Sequence, residues 1–199
     1  MTTKKKLLVN FDGLCEPANP AGIPCYGFVV KNENAKVSYR EYGLVNSVKP
    51  FSPQANSNTA EYGSVIKAME WLIENGYAND GIHDYEILMK GDCQLIMRKL
   101  KSKDYSPRAA RMSPMYDIAI MLRSKFPTES IRFEWVKRDE NEDADKLAKE
   151  AYYYALRKYP PLRRRVRKHW ATMLWLEQVI HKEQNKIADP KQNQFKEHV

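Results

Sequence analysis

Long apolar runs are missing from this 199-residue chain. No stretch approaches the roughly 18 consecutive apolar residues of a membrane-spanning helix, so such a helix is excluded. Cysteine is scarce: the 3 residues Cys15, Cys25 and Cys93 have neither zinc spacing nor a disulfide framework, which suits a reducing, cytoplasmic setting. None has a histidine close in sequence to make it a nucleophile. A secretory leader is not expected either. Met1 to Lys6 mimics its charged start, but Asn10 and Asp12 interrupt the apolar stretch that follows. Internal repeats and low-complexity segments are absent, and 43% apolar residues exclude disorder throughout.

Positive charge is plentiful but unevenly placed. The net charge is +8, of which residues 1–156 carry +1 and residues 157–199 carry +7. The densest part is Arg163-Arg164-Arg165-Val166-Arg167-Lys168. Such a run is an electrostatic footprint for a polyanion, or else a solvated helix face.

Apolar periodicity gives the elements. Lys6 to Asp12 alternates as a strand, with Leu7, Val9 and Phe11 on one face and Leu8, Asn10 and Asp12 on the other. After a loop carrying Pro17, Pro20, Gly22 and Pro24, strands are expected over Tyr26 to Lys31 and Val37 to Val45, joined by the turn Asn32 to Ala35. Asn58 to Asn75 reads as a helix stopped by Gly76, and Tyr85 to Lys90 as a fourth strand. Helices over Asp92 to Leu100 and Ser113 to Phe126, a strand over Ile131 to Lys137 and a helix over Asn141 to Tyr159 complete the order βββαβααβα. That order predicts an α/β architecture, a mixed five-stranded sheet flanked by helices.

Pro160-Pro161 breaks the last of these helices, and Pro161 is well placed to start another, running to about Ala188. Leu162, Val166, Met173, Leu176 and Ile180 form its apolar stripe, with His169 filling the remaining place. Trp170 and Trp175 offer stacking faces, but docking on the core or pairing with a second copy accounts for them more simply. Two parts are thus expected, residues 1–157 and residues 158–199, with fraying from Asp189 onward.

Four acids stand where strands end or helices begin: Asp12, Glu61, Asp92 and Asp145. Glu61 fits a capping box begun by Asn58, Asp92 a helix cap, and Asp145 the positive end of its helix. Asp12 is harder to explain away, because a carboxylate buried in an apolar strand must be paired or hold a metal.

The segments around these acids resemble those of the type 1 ribonuclease H family. Phe11-Asp12-Gly13-Leu14-Cys15 is similar to its first-strand motif, and Asn58-Thr59-Ala60-Glu61 to its helix motif. Gly91-Asp92-Cys93-Gln94-Leu95 is similar to its fourth-strand motif, and Arg138 to Leu147 to its final R-x-x-N-x-x-A-D-x-L. The resemblance covers about residues 6–157. It is nearest to the archaeal-type subgroup, whose D-G-L-C-E-P stands here at Asp12 to Pro17.

The resemblance implies a ribonuclease H-like fold and a metal-dependent endoribonuclease, cutting the RNA strand of RNA/DNA hybrids to 3′-hydroxyl and 5′-phosphate ends. Asp12, Glu61, Asp92 and Asp145 are the implied catalytic and metal-binding residues. Two carboxylates about 4 Å apart repel by about 4 kcal/mol at an effective dielectric near 20, so four converging acids call for cations. Oxygen ligands suit two Mg²⁺ ions, with Mn²⁺ as a substitute. The resemblance places Asn58 and Gln94 against ribose or base-edge groups, with the Cys15 backbone close by. Double-stranded RNA, which also displays 2′-hydroxyls, is a further expected substrate.

Two departures stand out. Val136 to Asn141 leaves no room for the histidine-bearing loop of many family members, so Arg138 becomes the candidate for positioning or charge stabilisation, beside a plain salt bridge. A basic protrusion is also wanting, since Lys101 to Met112 offers only Lys101, Lys103, Arg108 and Arg111. The tail residues Arg163, Arg164, Arg165, Arg167 and Lys168 are then expected to contact nucleic acid in its place. Asp139 and Asp143 are either outer members of the acidic site or exposed helix-start acids. Besides the enzyme, the residues allow a binding module of the same fold that relies on its tail, or a homodimer through the last helix.

Overall fold

The computed structural model describes residues 5–78, 85–102, 114–127 and 129–188. Three strands come first: β1 (Lys5–Glu16), β2 (Ile23–Asn32) and β3 (Val37–Leu44). Then follow α1 (Ser57–Glu74), β4 (Tyr85–Gly91), α2 (Gln94–Lys101), α3 (Pro114–Arg123) and β5 (Ile131–Trp135). A single 3₁₀ turn, Arg138–Glu140, leads into α4 (Glu142–Lys158), and α5 (Pro160–Ala188) closes the described chain.

The strands form one sheet in the order β3-β2-β1-β4-β5. The first three pair antiparallel, and β1, β4 and β5 pair parallel. The expected mixed sheet and element order are therefore those observed. β1 is the central strand and is longer than its alternation predicts, because its pairing with β2 continues to Glu16 opposite Ile23. Asp12 accordingly lies within a strand, and both Asn10 and Asp12, on the face shared with Leu8, are buried.

Helix starts and ends differ in informative ways. α1 begins before Asn58: its cap is Asn56, whose side chain accepts from the Thr59 amide at 2.9 Å, so Asn58 begins no capping box. Gly76, just past the helix, has φ 81°, which glycine adopts without steric cost. α2 begins at Gln94 with Cys93 in the cap position, so Asp92 is not its cap. Pro160, rather than Pro161, opens α5. The expected helix start at Ser113, the segment from Lys103 to Met112 and the tail from Asp189 lie outside the described residues.

Apolar side chains fill a layer on each sheet face. On one, Val9, Phe11, Phe28, Ile87 and Met89 pack in a single cluster with Met69 and Leu72 of α1, Ile96 and Leu100 of α2, and Tyr116 of α3. On the other, the backbone of α4 approaches β2 so closely that a Cβ on Gly27 would lie 2.5 Å from the Ala148 amide. The chain divides into two compact units, Met1–Ala155 and Leu156–Val199. No helix among the described residues is long and apolar enough to cross a membrane.

The tightest approach in the first unit is at Gly13. An added Cβ there would lie 2.2 Å from the backbone carbon of Ala60 and 2.2 Å from the Glu61 amide. Gly13→Ala must therefore push α1 away from β1, and overpacking of this kind costs about 1–3 kcal/mol or more. A lowered thermal midpoint is the expected result of a melt on the purified variant.

Candidate active site

Asp12 is carried by the middle of the sheet, Asp92 follows the parallel neighbour β4, and Glu61 lies one turn into α1. Parallel pairing of Asn10 with Lys90 puts Asp12 and Asp92, each two residues further on, at the same level, and the glycine at position 13 lets α1 close over β1. As a result, one carboxylate oxygen each from Asp12, Glu61 and Asp92 lies within 4.8 Å of the others.

Burial and mutual repulsion dominate the electrostatics. Burial first, then the charges of Asp92 and Asp145, push the Asp12 carboxyl up from 3.8 to about 7. Glu61 is driven well above the ordinary glutamate range, again by burial and then by Asp12 and Asp92. Its Oε2 is buried and has no hydrogen-bond partner. A lone buried carboxylate oxygen is costly unless something positive meets it. The oxygen-only donor set together with this orphaned oxygen fits a hard divalent cation.

Asp145 stands apart from that trio. One oxygen accepts from Arg138 at 2.9 Å and the other from Lys149 at 2.5 Å. Against its partial burial, those two cations hold Asp145 below the ordinary aspartate range. Arg138 is therefore in the expected salt bridge, and it lowers the Asp12 and Glu61 carboxyls as well. Asp143 turns elsewhere and pairs with Lys31 at 2.7 Å, which keeps its carboxyl low, so it is not an outer member of the acidic site. Asp139 is exposed in the 3₁₀ turn.

Asn58 and Gln94 are exposed in the first turns of α1 and α2. Cys15 is buried, with its thiol 3.5 Å from the Ala18 carbonyl and its pKa raised by burial. It has the character of a packing thiol rather than a reactive one.

Three supporting residues had no role in the sequence reading, although Asn141 stands in its R-x-x-N motif. Asn141, only 1% exposed, donates through Nδ2 to the Phe11 carbonyl at 2.9 Å and to Asp92 Oδ1 at 3.3 Å. Its Oδ1 accepts from the buried Asn10 at 3.0 Å. The Trp135 indole donates to the Asp92 carbonyl at 2.9 Å. Asn10, an amide between Val9 and Phe11, was the available signal, since a buried polar group needs partners.

The raised carboxyls set a pH dependence. Asp12 titrates at about 7 in the fold and at about 3.8 when unperturbed, so the folded state holds the extra proton between those values. Without divalent cations, this contribution to stability is fully present below about 3.8 and is lost as pH rises through about 7. Melting curves in chelator are expected to show a midpoint several degrees higher near pH 5 than near pH 8, with Asp12→Asn shrinking the difference. A wild-type midpoint independent of pH over that window would contradict the electrostatic account.

Comparison with known proteins agrees with this geometry. The sequence profile of the reverse transcriptase-like family matches residues 10–151. The RNase H1 of the halophilic archaeon Halobacterium salinarum is 25% identical, over 75% of this chain and 99% of that one, with a TM-score of 0.58. The N-terminal RNase H domain of a Mycobacterium tuberculosis protein is likewise 25% identical, over 78% and 99% of the two chains, with a TM-score of 0.58. LC11-RNase H1, isolated from compost and solved with an RNA/DNA hybrid, shares the fold at 23% identity and a TM-score of 0.60, over 75% and 99% of the chains. The acidic cluster on a β3-β2-β1-β4-β5 sheet and the profile match over most of the chain lead to one assignment: the chain belongs to the reverse transcriptase-like family, as a type 1 ribonuclease H.

Proposed function

We propose that this protein hydrolyses the RNA strand of RNA/DNA hybrids, leaving 3′-hydroxyl and 5′-phosphate ends. The observation that carries this reading is the convergence of Asp12, Glu61 and Asp92 around the unpartnered Glu61 oxygen. In the proposal these three residues, with Asp145 beside them, hold two Mg²⁺ ions, for which Mn²⁺ substitutes. Bound there, the ions supply Lewis acidity and positive charge for an in-line attack of water on a phosphodiester.

The chain's own residues do the rest. Asn141 holds Asp92 Oδ1 and the β1 backbone in one frame, which fixes the direction of the Asp92 carboxylate. Arg138 keeps Asp145 ionised and adds positive charge at the rim of the acidic site. No histidine occurs between Val136 and Asn141, so the guanidinium of Arg138 takes the charge-stabilising part there. In this reading Asn58 and Gln94, both exposed and near Glu61 and Asp92 in sequence, meet the ribose 2′-hydroxyl or base edges. The free thiols Cys15, Cys25 and Cys93 fit a reducing, cytoplasmic location.

An end-labelled RNA/DNA hybrid, double-stranded RNA and double-stranded DNA, each with Mg²⁺, Mn²⁺ or EDTA, test the reading. Metal-dependent cutting of the hybrid is expected, with weaker cutting of double-stranded RNA and none of DNA. Asp92→Asn should abolish it, and Asn58→Ala or Gln94→Ala should each lower the rate about tenfold, the worth of one lost hydrogen bond. Tight hybrid binding without cutting would contradict the proposal.

A further inference from the structure

α5 carries two unlike faces. At about 100° per residue, Leu162, Val166, His169, Met173, Leu176 and Ile180 fall within one narrow arc. Arg164, Lys168, Ala171 and Trp175 fall on the opposite side, with Arg167 at its border. Trp175 is 60% exposed, more than any other large apolar side chain among the described residues. Arg164, Arg167 and Lys168 are exposed too. No carboxylate occurs from Ala151 to Leu176, and Glu177 falls on the apolar side of the helix.

Docking of the apolar stripe, on whatever surface, leaves Trp175 unexplained, because it sits on the far side, two turns along the helix from Lys168. An anionic membrane would take the apolar stripe and leave Trp175 in water. What satisfies this face is a ligand offering negative charges and flat apolar rings together, and unpaired nucleic acid has both.

We propose that the Arg164–Lys168–Trp175 face of α5 binds single-stranded nucleic acid, with phosphates against Arg164, Arg167 and Lys168 and one base stacked on the Trp175 indole. The site spans about 16 Å of helix between Arg164 and Trp175. It uses none of the acidic residues and gives the protein a grip on an unpaired strand.

The test uses the full chain in EDTA and a fluorescein-labelled oligothymidylate of about 12 nucleotides, read by anisotropy against salt. Salt-sensitive binding is expected. Trp175→Ala should weaken it about tenfold and Trp175→Phe much less, while Trp170→Ala, off this face, changes it less than about twofold. Replacing Arg164, Arg167 and Lys168 together by Ala should reduce the slope of log affinity against log salt by about two. Asp92→Asn should bind like the wild type, so that loss of cleavage and loss of this site are read separately. Circular dichroism of each variant checks that the helix persists. Absence of oligothymidylate binding, or binding indifferent to Trp175→Ala, would overturn the proposal. So would loss, in Trp175→Ala, of binding to phosphatidylserine vesicles or of self-association in sedimentation, in a chain that does not bind the oligothymidylate.

Discussion

Repulsion among Asp12, Glu61 and Asp92 is the interaction to which the rest of the structure answers. The acids come from β1, α1 and the end of β4, and their oxygens meet within 4.8 Å, with Asp12 and Glu61 buried and Asp92 half-buried. Such an arrangement opposes folding when all are ionised, so the surrounding scaffold must hold it in place. Parallel pairing of β1 with β4, the close approach of α1 at Gly13 and the Asn10–Asn141 amide pair are that scaffold. The cost follows from function: groups poised for a cation are unfavourable neighbours without one.

The sequence made the order of elements legible because alternation, helical spacing and Pro/Gly punctuation all pointed the same way. The acids were legible too, through the motifs around them. What stayed hidden depended on contacts distant in sequence. Asn56 and Asn58 are both plausible caps for α1, and the choice falls on Asn56 where Asn19, from a loop 38 positions away, bonds both the Ser57 amide and hydroxyl. Asn10 meets Asn141 across 131 positions, a pairing no local pattern encodes. The pairing of β1 beyond Asp12 likewise comes from its partner strand, not from its own alternation.

Charge is divided unevenly between the two units. The first carries the acids on a nearly neutral body, and the second carries most of the excess positive charge on one long helix. A site built of carboxylates repels any polyanion, and cationic side chains elsewhere offset that repulsion. Arg138 does this locally, since its guanidinium sits against Asp145 and its positive charge is felt at Asp12 and Glu61.

The central claim is that the converging carboxylates are a cation site whose own burial keeps protons on it until the cation arrives. Calorimetric titration of Mn²⁺ into the full chain near pH 7, repeated in buffers of different ionisation enthalpy, measures both at once. The account predicts saturable binding with release of a fraction of a proton or more, abolished in Asp12→Asn. Absence of saturable binding, or binding without proton release and unchanged in Asp12→Asn, would contradict it.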